Sequence, residues 1–181
     1  MHKIRLDTLQ PEQVADFWQL AFADPTSEWT KWNGPYFHDQ LPSQAEFVEQ
    51  IASESYINQP FRQVIWVGQQ MVGLVSAYYE DDPLKRWLDI GIVIYDQSIW
   101  HQGVGAQALH LWVNQLWQLT DLPHLGLTTW SGNKRMIALA EKVGFTREAT
   151  IRKVRYWQDQ YWDSVKYGLL REEWLDKENA Y

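Results

Sequence analysis

Three successive runs of β-branched and aromatic residues restrict the fold of this chain most strongly; they are Val64–Val67, Val72–Tyr79 and Trp87–Tyr95. Only short turns separate them, Gly68-Gln69-Gln70 and Asp81-Asp82-Pro83. Turns of this length join antiparallel strands, whereas a parallel crossover needs about a dozen residues or more. The segment therefore predicts an antiparallel meander of three strands.

Helical patterns lie before and after this meander. Apolar residues with helical spacing, Val14, Phe17, Trp18 and Ala21, follow a short strand at Ile4–Leu6. A capping box, Ser43-Gln44-Ala45-Glu46, begins a second helix that buries Phe47, Val48 and Ile51 and ends near Tyr56. A third helix begins near Gly103, and a fourth is predicted from Asn133 to Val143, before Gly144.

The remaining strands complete an α/β (α+β) pattern. One strand, Leu125–Thr129, is reached through a helix and can therefore run parallel to the last strand of the meander. Two more, Phe145–Tyr156 and Tyr161–Leu170, form a closing hairpin. We expect about seven strands in a mixed, mainly antiparallel sheet, flanked by about four helices. Because no repeat or linker divides the chain, a single domain over residues 1–181 is expected.

Composition narrows the classes of function. The net charge of −7 argues against nucleic-acid binding and favours a cationic partner. The chain has no Cys, and no His-carboxylate spacing indicates a metal site. It lacks an apolar stretch of the roughly 18 residues typical of a membrane helix. The first seven residues, Met1 to Asp7, do not resemble a signal peptide, so a cytoplasmic location is expected.

Gly103-Val104-Gly105 follows a predicted strand and begins a helix, which places backbone N–H groups where an anion can bind. Gly103, Gly105 and Ala108 also satisfy a loose dinucleotide-binding pattern. That pattern needs a parallel βαβ unit, whereas three antiparallel strands precede these glycines. A nucleotide P-loop is excluded because Gly-Lys-Ser/Thr is absent. An anion site and a simple turn with a helix cap remain as the two interpretations.

The chain resembles the GNAT N-acetyltransferases, and within them the Rim-type ribosomal-protein N-terminal acetyltransferases. The resemblance extends from about Ile4 to Trp174 and is strongest at Asp89-Ile90-Gly91, at Trp100–Gly105 and from Asn133 to Phe145. At the position of Trp100 the family pattern usually has Arg or Gln, whereas Rim-type members often have Trp.

The resemblance implies acetyl-CoA as acetyl donor, without a metal, bound in a cleft between two splayed parallel strands. The donor would contact the backbone of one strand, the loop with the first turn of the next helix, and one Asn; these residues are Ile92, Val93, Ile94, Trp100, His101, Gln102, Gly103, Val104, Gly105, Ala106 and Asn133. Asn133 also fits a plain helix N-cap.

The resemblance further implies transfer of the acetyl group to a primary amine, either a protein N-terminus or a small cationic molecule. Aromatic residues between the first two helices are the predicted substrate contacts, namely Trp29, Trp32, Tyr36 and Phe37. Asp89 is the candidate general base, acting through a water; a surface carboxylate or one paired with Arg86 is the alternative.

Two features leave alternatives open. Ala140 stands where many family members have the Tyr that protonates the leaving thiolate. Water, Asn133, Tyr36 or Tyr156 could replace that Tyr, and a catalytically silent CoA-binding module of the same fold is the alternative function. The aromatic run from Trp157 to Trp174 forms either a dimer surface or part of the core, so both a monomer and a homodimer are compatible with the sequence.

Overall fold

A computed structural model describes residues 3–179. Its strands are β1 (Ile4–Thr8), β2 (Arg62–Val67), β3 (Gln70–Tyr79), β4 (Leu88–Ile94), β5 (His124–Trp130), β6 (Thr146–Trp157) and β7 (Gln160–Leu170). Its α-helices are α1 (Val14–Ala21), α2 (Gln44–Glu46), α3 (Ala52–Ser55), α4 (Val104–Leu119), α5 (Lys134–Val143) and α6 (Arg171–Asn179). A π-helix, Phe47–Ile51, lies between α2 and α3, and short 3₁₀ helices occupy several connections.

The strands form a sheet of seven in the order β1-β2-β3-β4-β5-β7-β6. β4 and β5 are parallel, with Leu88 opposite Leu125 and Asp89 opposite Gly126. The β1–β2, β2–β3, β5–β7 and β6–β7 pairs are antiparallel. This arrangement confirms the predicted mixed, mainly antiparallel sheet.

The chain divides into two compact units, Met1–Ser76 with Ile92–Leu111 and Ala77–Gly91 with Trp112–Tyr181. A single domain over the whole chain stays a prediction. Between residues 3 and 179, no helix is long and apolar enough to cross a membrane. The cytoplasmic location also stays a prediction.

The first unit is built on an aromatic core. Phe17 of α1 is completely buried, and its ring lies 5.9 Å from Phe47 and 5.8 Å from Tyr95. Val14 and Ala21 are buried on the same helix, as the apolar spacing predicts. Aromatic rings that meet edge to face gain energy beyond the area they bury, which favours this cluster as the centre of the unit.

The predicted second helix is present but is not a continuous α-helix. Ser43 caps α2 by accepting a hydrogen bond from the backbone N–H of Glu46, which confirms the predicted cap. The chain then forms the π-helix, where buried Phe47 and Ala52 are five residues apart. Val48 is 41% exposed, so its predicted burial is wrong. The wider π turn, with its i→i+5 spacing, places Phe47 and Ala52 on one face instead.

The second unit packs α-helices against strands with alternating burial. β5 buries Leu125 and Leu127, and β7 buries Tyr167 and Leu169. α5 ends at Gly144, whose φ of 111° is in the left-handed region, as predicted for a helix C-cap.

The β6–β7 hairpin is confirmed, with Gln158 and Asp159 at its turn. Both residues have positive φ, 53° and 57°, a pattern typical of the tight turns that suit the twist of a hairpin.

The sequence patterns did not predict α6. Trp174 of this helix is 3% exposed, and its indole N–H donates to Asn114 Oδ1 at 2.7 Å. Arg171, the first residue of α6, donates to the carbonyls of Trp117, Thr120 and Leu122 at the end of α4 and just beyond it. Trp174 therefore belongs to the interior of the second unit, as one of the two interpretations of the terminal aromatic run expected.

We predict that Arg171→Met lowers the free energy of unfolding by about 2 kcal/mol, because the guanidinium donates to the Trp117 carbonyl in the last turn of α4 and to the Thr120 and Leu122 carbonyls just beyond it. Urea denaturation measures the change. Arg152→Met removes an exposed arginine and should shift stability by no more than about 0.5 kcal/mol. Equal effects of the two substitutions would contradict the capping role.

Candidate functional site

The loop between β4 and α4 is held by its own hydrogen bonds. The Asp96 carboxylate accepts from the Ser98 backbone N–H at 2.9 Å, and the Gln102 side chain donates to the Ser98 carbonyl at 2.9 Å. The Trp100 indole N–H donates to the Ile94 carbonyl at 3.0 Å, which fastens the loop to the end of β4. The loop thus has a defined shape next to the first turn of α4.

The backbone of this loop alternates in handedness. His101 and Gly103 have positive φ, 64° and 81°, whereas Gln102 between them does not. Alternation of this kind can turn successive N–H groups toward one point, where they can hold an anion. The first N–H groups of an α-helix, here from Val104 onward, have no acceptor inside the helix and lie at its positive dipole end. The φ pattern is compatible with the anion site predicted from Gly103-Val104-Gly105, which stays a prediction.

The backbone at the end of β4 has partners within the protein. The Tyr95 and Asp96 N–H groups both donate to the Val72 carbonyl of β3, at 2.9 Å and 3.2 Å. The Ile94 carbonyl accepts the Trp100 indole N–H at 3.0 Å. The ligand contacts predicted for the backbone of Ile92, Val93 and Ile94 stay predictions.

The four predicted aromatic substrate contacts occupy different environments. Trp29 is 7% exposed and packs edge-on against Tyr95, with 5.2 Å between ring centroids. Burial raises the pKa of Tyr95, which therefore stays protonated at ordinary pH. Tyr36 and Phe37 have ring centroids 4.7 Å apart, and Phe37 is exposed. Trp29 is thus part of the core, whereas the other loop residues are nearer the surface.

Trp32 lies on the same loop as Tyr36 and Phe37. Its indole N–H donates to Glu28 Oε1 at 3.3 Å, which anchors the indole to the preceding 3₁₀ helix. The side chain is partly exposed, so it remains a candidate substrate contact.

Asp89 is the most buried carboxylate among the described side chains, with 1% exposed. Its Oδ2 accepts a hydrogen bond from Thr128 Oγ1 at 2.8 Å. Its Oδ1 lies against Gly126, where any Cβ would overlap it. Asp89 is therefore not a surface carboxylate.

The other residues named from the sequence lie at the start of α5, within α5 and on β6. Asn133 caps it, with Oδ1 accepting from the Met136 backbone N–H at 3.0 Å, as one of its two interpretations expected. Ala140 is fully buried. Tyr156, a candidate proton donor, is 54% exposed on β6, with its ring 5.0 Å from that of Tyr161.

Sequence reasoning missed the residues that surround Asp89. Gly126 and Thr128 lie on β5, and Lys166 of β7 is directly opposite Thr128. Their polar or small side chains alternate with buried leucines, a pattern that indicates a second, polar face of β5. The pairing register was needed to connect that face with Asp89.

The chain is similar to known proteins in sequence and in fold. Residues 3–146 match the family model of the acetyltransferase (GNAT) domain. A curated relative, the SPbeta prophage-derived uncharacterized N-acetyltransferase YokL of Bacillus subtilis (strain 168), is 39% identical over 46 residues. That match covers 25% of this chain and spans about a quarter (26%) of the relative.

Solved structures share the fold over nearly the whole chain. Spermidine N-acetyltransferase from Vibrio cholerae, in complex with CoA and spermine, has a TM-score of 0.76 at 17% sequence identity. The match covers 95% of this chain and 98% of the Vibrio cholerae chain. RimL, a ribosomal L7/L12 alpha-N-protein acetyltransferase in complex with coenzyme A, has a TM-score of 0.70 at 18% identity, with 94% and 95% covered. Since the family model matches residues 3–146, well over half of the sequence, the chain belongs to the acetyltransferase (GNAT) domain family.

Proposed function

We propose that this protein is an N-acetyltransferase that moves the acetyl group of acetyl-CoA to a primary amine. The observation that carries the proposal is the pair of left-handed residues, His101 and Gly103, directly before the first turn of α4. A backbone of this kind would suit the pyrophosphate of coenzyme A, because it would offer several N–H donors and the positive end of a helix to one anion.

The donor would lie along β4 with its pyrophosphate in this loop. The backbone N–H groups from His101 to Ala106 would hold the phosphates, and Gly103 supplies a left-handed φ that other residues adopt at a cost. The backbone of Ile92, Val93 and Ile94 would pair with the pantetheine arm as an added strand would. Asn133 is a further proposed contact, and its cap position orients its amide.

The acceptor amine needs to lose protons when it attacks the thioester carbonyl. The C–N bond forms, the C–S bond breaks, and one amine proton passes to a base while the thiolate takes another. A lysine-like amine has a reference pKa near 10.4 and an α-amine near 8, so a base or a dry pocket must favour the neutral form at pH 7. Asp89 is the proposed base, acting through a water, and its Oδ2 accepts a hydrogen bond from Thr128 Oγ1.

The acceptor is proposed to be a cationic primary amine. The chain carries a net charge of −7, which attracts cations at long range. Two structures of the same fold are described as acting on spermidine and on the N-terminus of a ribosomal protein. Small polyamines and peptide N-termini are therefore the first acceptors to test, with Trp32, Tyr36 and Phe37 as proposed contacts.

A CoA-binding module without turnover is the second candidate, and Ala140 favours it. The buried methyl group at this position cannot protonate a leaving thiolate. Thiol release decides between the two. The purified protein is incubated with acetyl-CoA and, separately, polyamines, aminoglycosides, amino acids and short peptides beginning with Ser, Ala or Met. Turnover with one class supports the enzyme; tight acetyl-CoA binding without thiol release from any amine favours the module.

Gly105→Trp should abolish acetyl-CoA binding, because an indole in the first turn of α4 would fill the space that the phosphates need. Isothermal calorimetry measures the affinity. Leu111→Trp is the matched control, since it adds the same indole at an exposed position two turns further along the helix. Unchanged affinity in Gly105→Trp would remove the phosphate-loop assignment.

Asp89→Asn should lower kcat about 100-fold, with acetyl-CoA affinity changed much less. The amide keeps the shape of the carboxylate but cannot accept a proton. Asp121→Asn, at an exposed carboxylate of the same unit, serves as control and should leave the rate unchanged. A wild-type kcat in Asp89→Asn would exclude Asp89 as the base.

A further inference from the structure

A chain of two hydrogen bonds connects three strands in the second unit. Lys166 Nζ of β7 donates to Thr128 Oγ1 of β5 at 3.2 Å, and Thr128 Oγ1 donates to Asp89 Oδ2 of β4 at 2.8 Å. Thr128 and Lys166 are directly opposite in the antiparallel register, and Asp89 is opposite Gly126, two residues before Thr128. The three side chains therefore lie on one face of the sheet.

The chemistry of these groups fixes the direction of both hydrogen bonds. An ammonium group has only donors, and an ionised carboxylate has only acceptors. Thr128 has one hydroxyl proton, so it accepts from Lys166 and must give that proton to Asp89. A lysine at this position thus excludes the alternative orientation of the hydroxyl, in which Thr128 would donate its proton toward residue 166 and leave Asp89 Oδ2 without a donor.

Other neighbours contact Lys166 and Asp89, the two ends of this series of hydrogen bonds. The Lys166 ammonium lies 5.0 Å from the centre of the Trp87 ring, a favourable cation–π distance. Asp89 Oδ1 fills the space over Gly126, where a Cβ would displace it. A carboxylate with only 1% exposed needs such compensation, because an unpaired buried charge is strongly unfavourable.

We propose that Lys166 is a positioning residue that acts through Thr128 to hold the Asp89 carboxylate by its Oδ2. The inference rests on the proposed N-acetyltransferase function and deepens it. Lys166 itself touches neither substrate in this scheme; it orients the carboxylate that takes the proton through a water.

A double-mutant cycle tests the proposal in the full-length protein. Lys166→Met and Thr128→Val should each lower kcat about tenfold, with KM for acetyl-CoA within about twofold of wild type, because they leave the loop before α4 intact. Thr128→Ser keeps the hydroxyl and should retain most of the activity. Lys142→Met, at an exposed lysine of α5, should have no effect.

The combination with Asp89→Asn separates positioning from a general structural effect. If Lys166 acts through Asp89, adding Lys166→Met to Asp89→Asn lowers kcat no further. The proposal would be overturned if the losses in kcat of Lys166→Met and Asp89→Asn were additive, or if Lys166→Met and Thr128→Val both kept full kcat. Turnover by the wild type would still support the acetyltransferase function in either case. A wild type that acetylates none of the amines overturns the function first. If Lys166→Met does not fold, the Thr128→Val and Thr128→Ser pair still decides.

Discussion

A carboxylate with almost no solvent contact lies where the parallel strands β4 and β5 pair. Burying the charge of Asp89 is unfavourable unless hydrogen bonds replace its water, and Thr128 supplies one of them. The space for it exists because the facing residue is Gly126. This arrangement also restricts the register: a shift of β5 by one residue would bring the side of the strand with Leu125 and Leu127 against the carboxylate. The same polar group that we propose for catalysis therefore helps to specify the pairing.

Much of the fold could be predicted from local patterns. The short turns around Gly68 and Pro83 excluded parallel crossovers, so the meander followed directly from the sequence. The π-helix could not be predicted, because the spacing of Phe47, Val48 and Ile51 fits a regular α-helix and only tertiary packing selects Phe47 and Ala52. α6 was missed for a related reason: its charged sequence has little amphipathic pattern, and Trp174 is ordered by a contact with Asn114, 60 residues away.

Some residues of the candidate site could also be found from local sequence patterns, whereas others could be found only from the fold. Glycines at Gly103 and Gly105 indicated an anion-binding helix start because the signal lies in adjacent residues. The position of Asp89 before Ile90 and Gly91 indicated a base only through a resemblance to a known family. Thr128 and Lys166 could not be connected with Asp89, since their contact depends on the register of three strands up to 77 residues apart. Trp29 looked like a loop aromatic, but packing against Tyr95 places it in the core.

The hydrogen bonds that fasten Trp100 to Ile94 and Gln102 to Ser98 bear on how fast a ligand can be exchanged. A loop that is already ordered loses little conformational entropy when it takes up an anion. Association then needs no slow rearrangement of the loop, and the residence time depends on the contacts that must break. An enzyme must release its spent carrier after each turnover. At the proposed phosphate site, an ordered loop would allow fast association, and the rate of release would depend only on the contacts between loop and ligand.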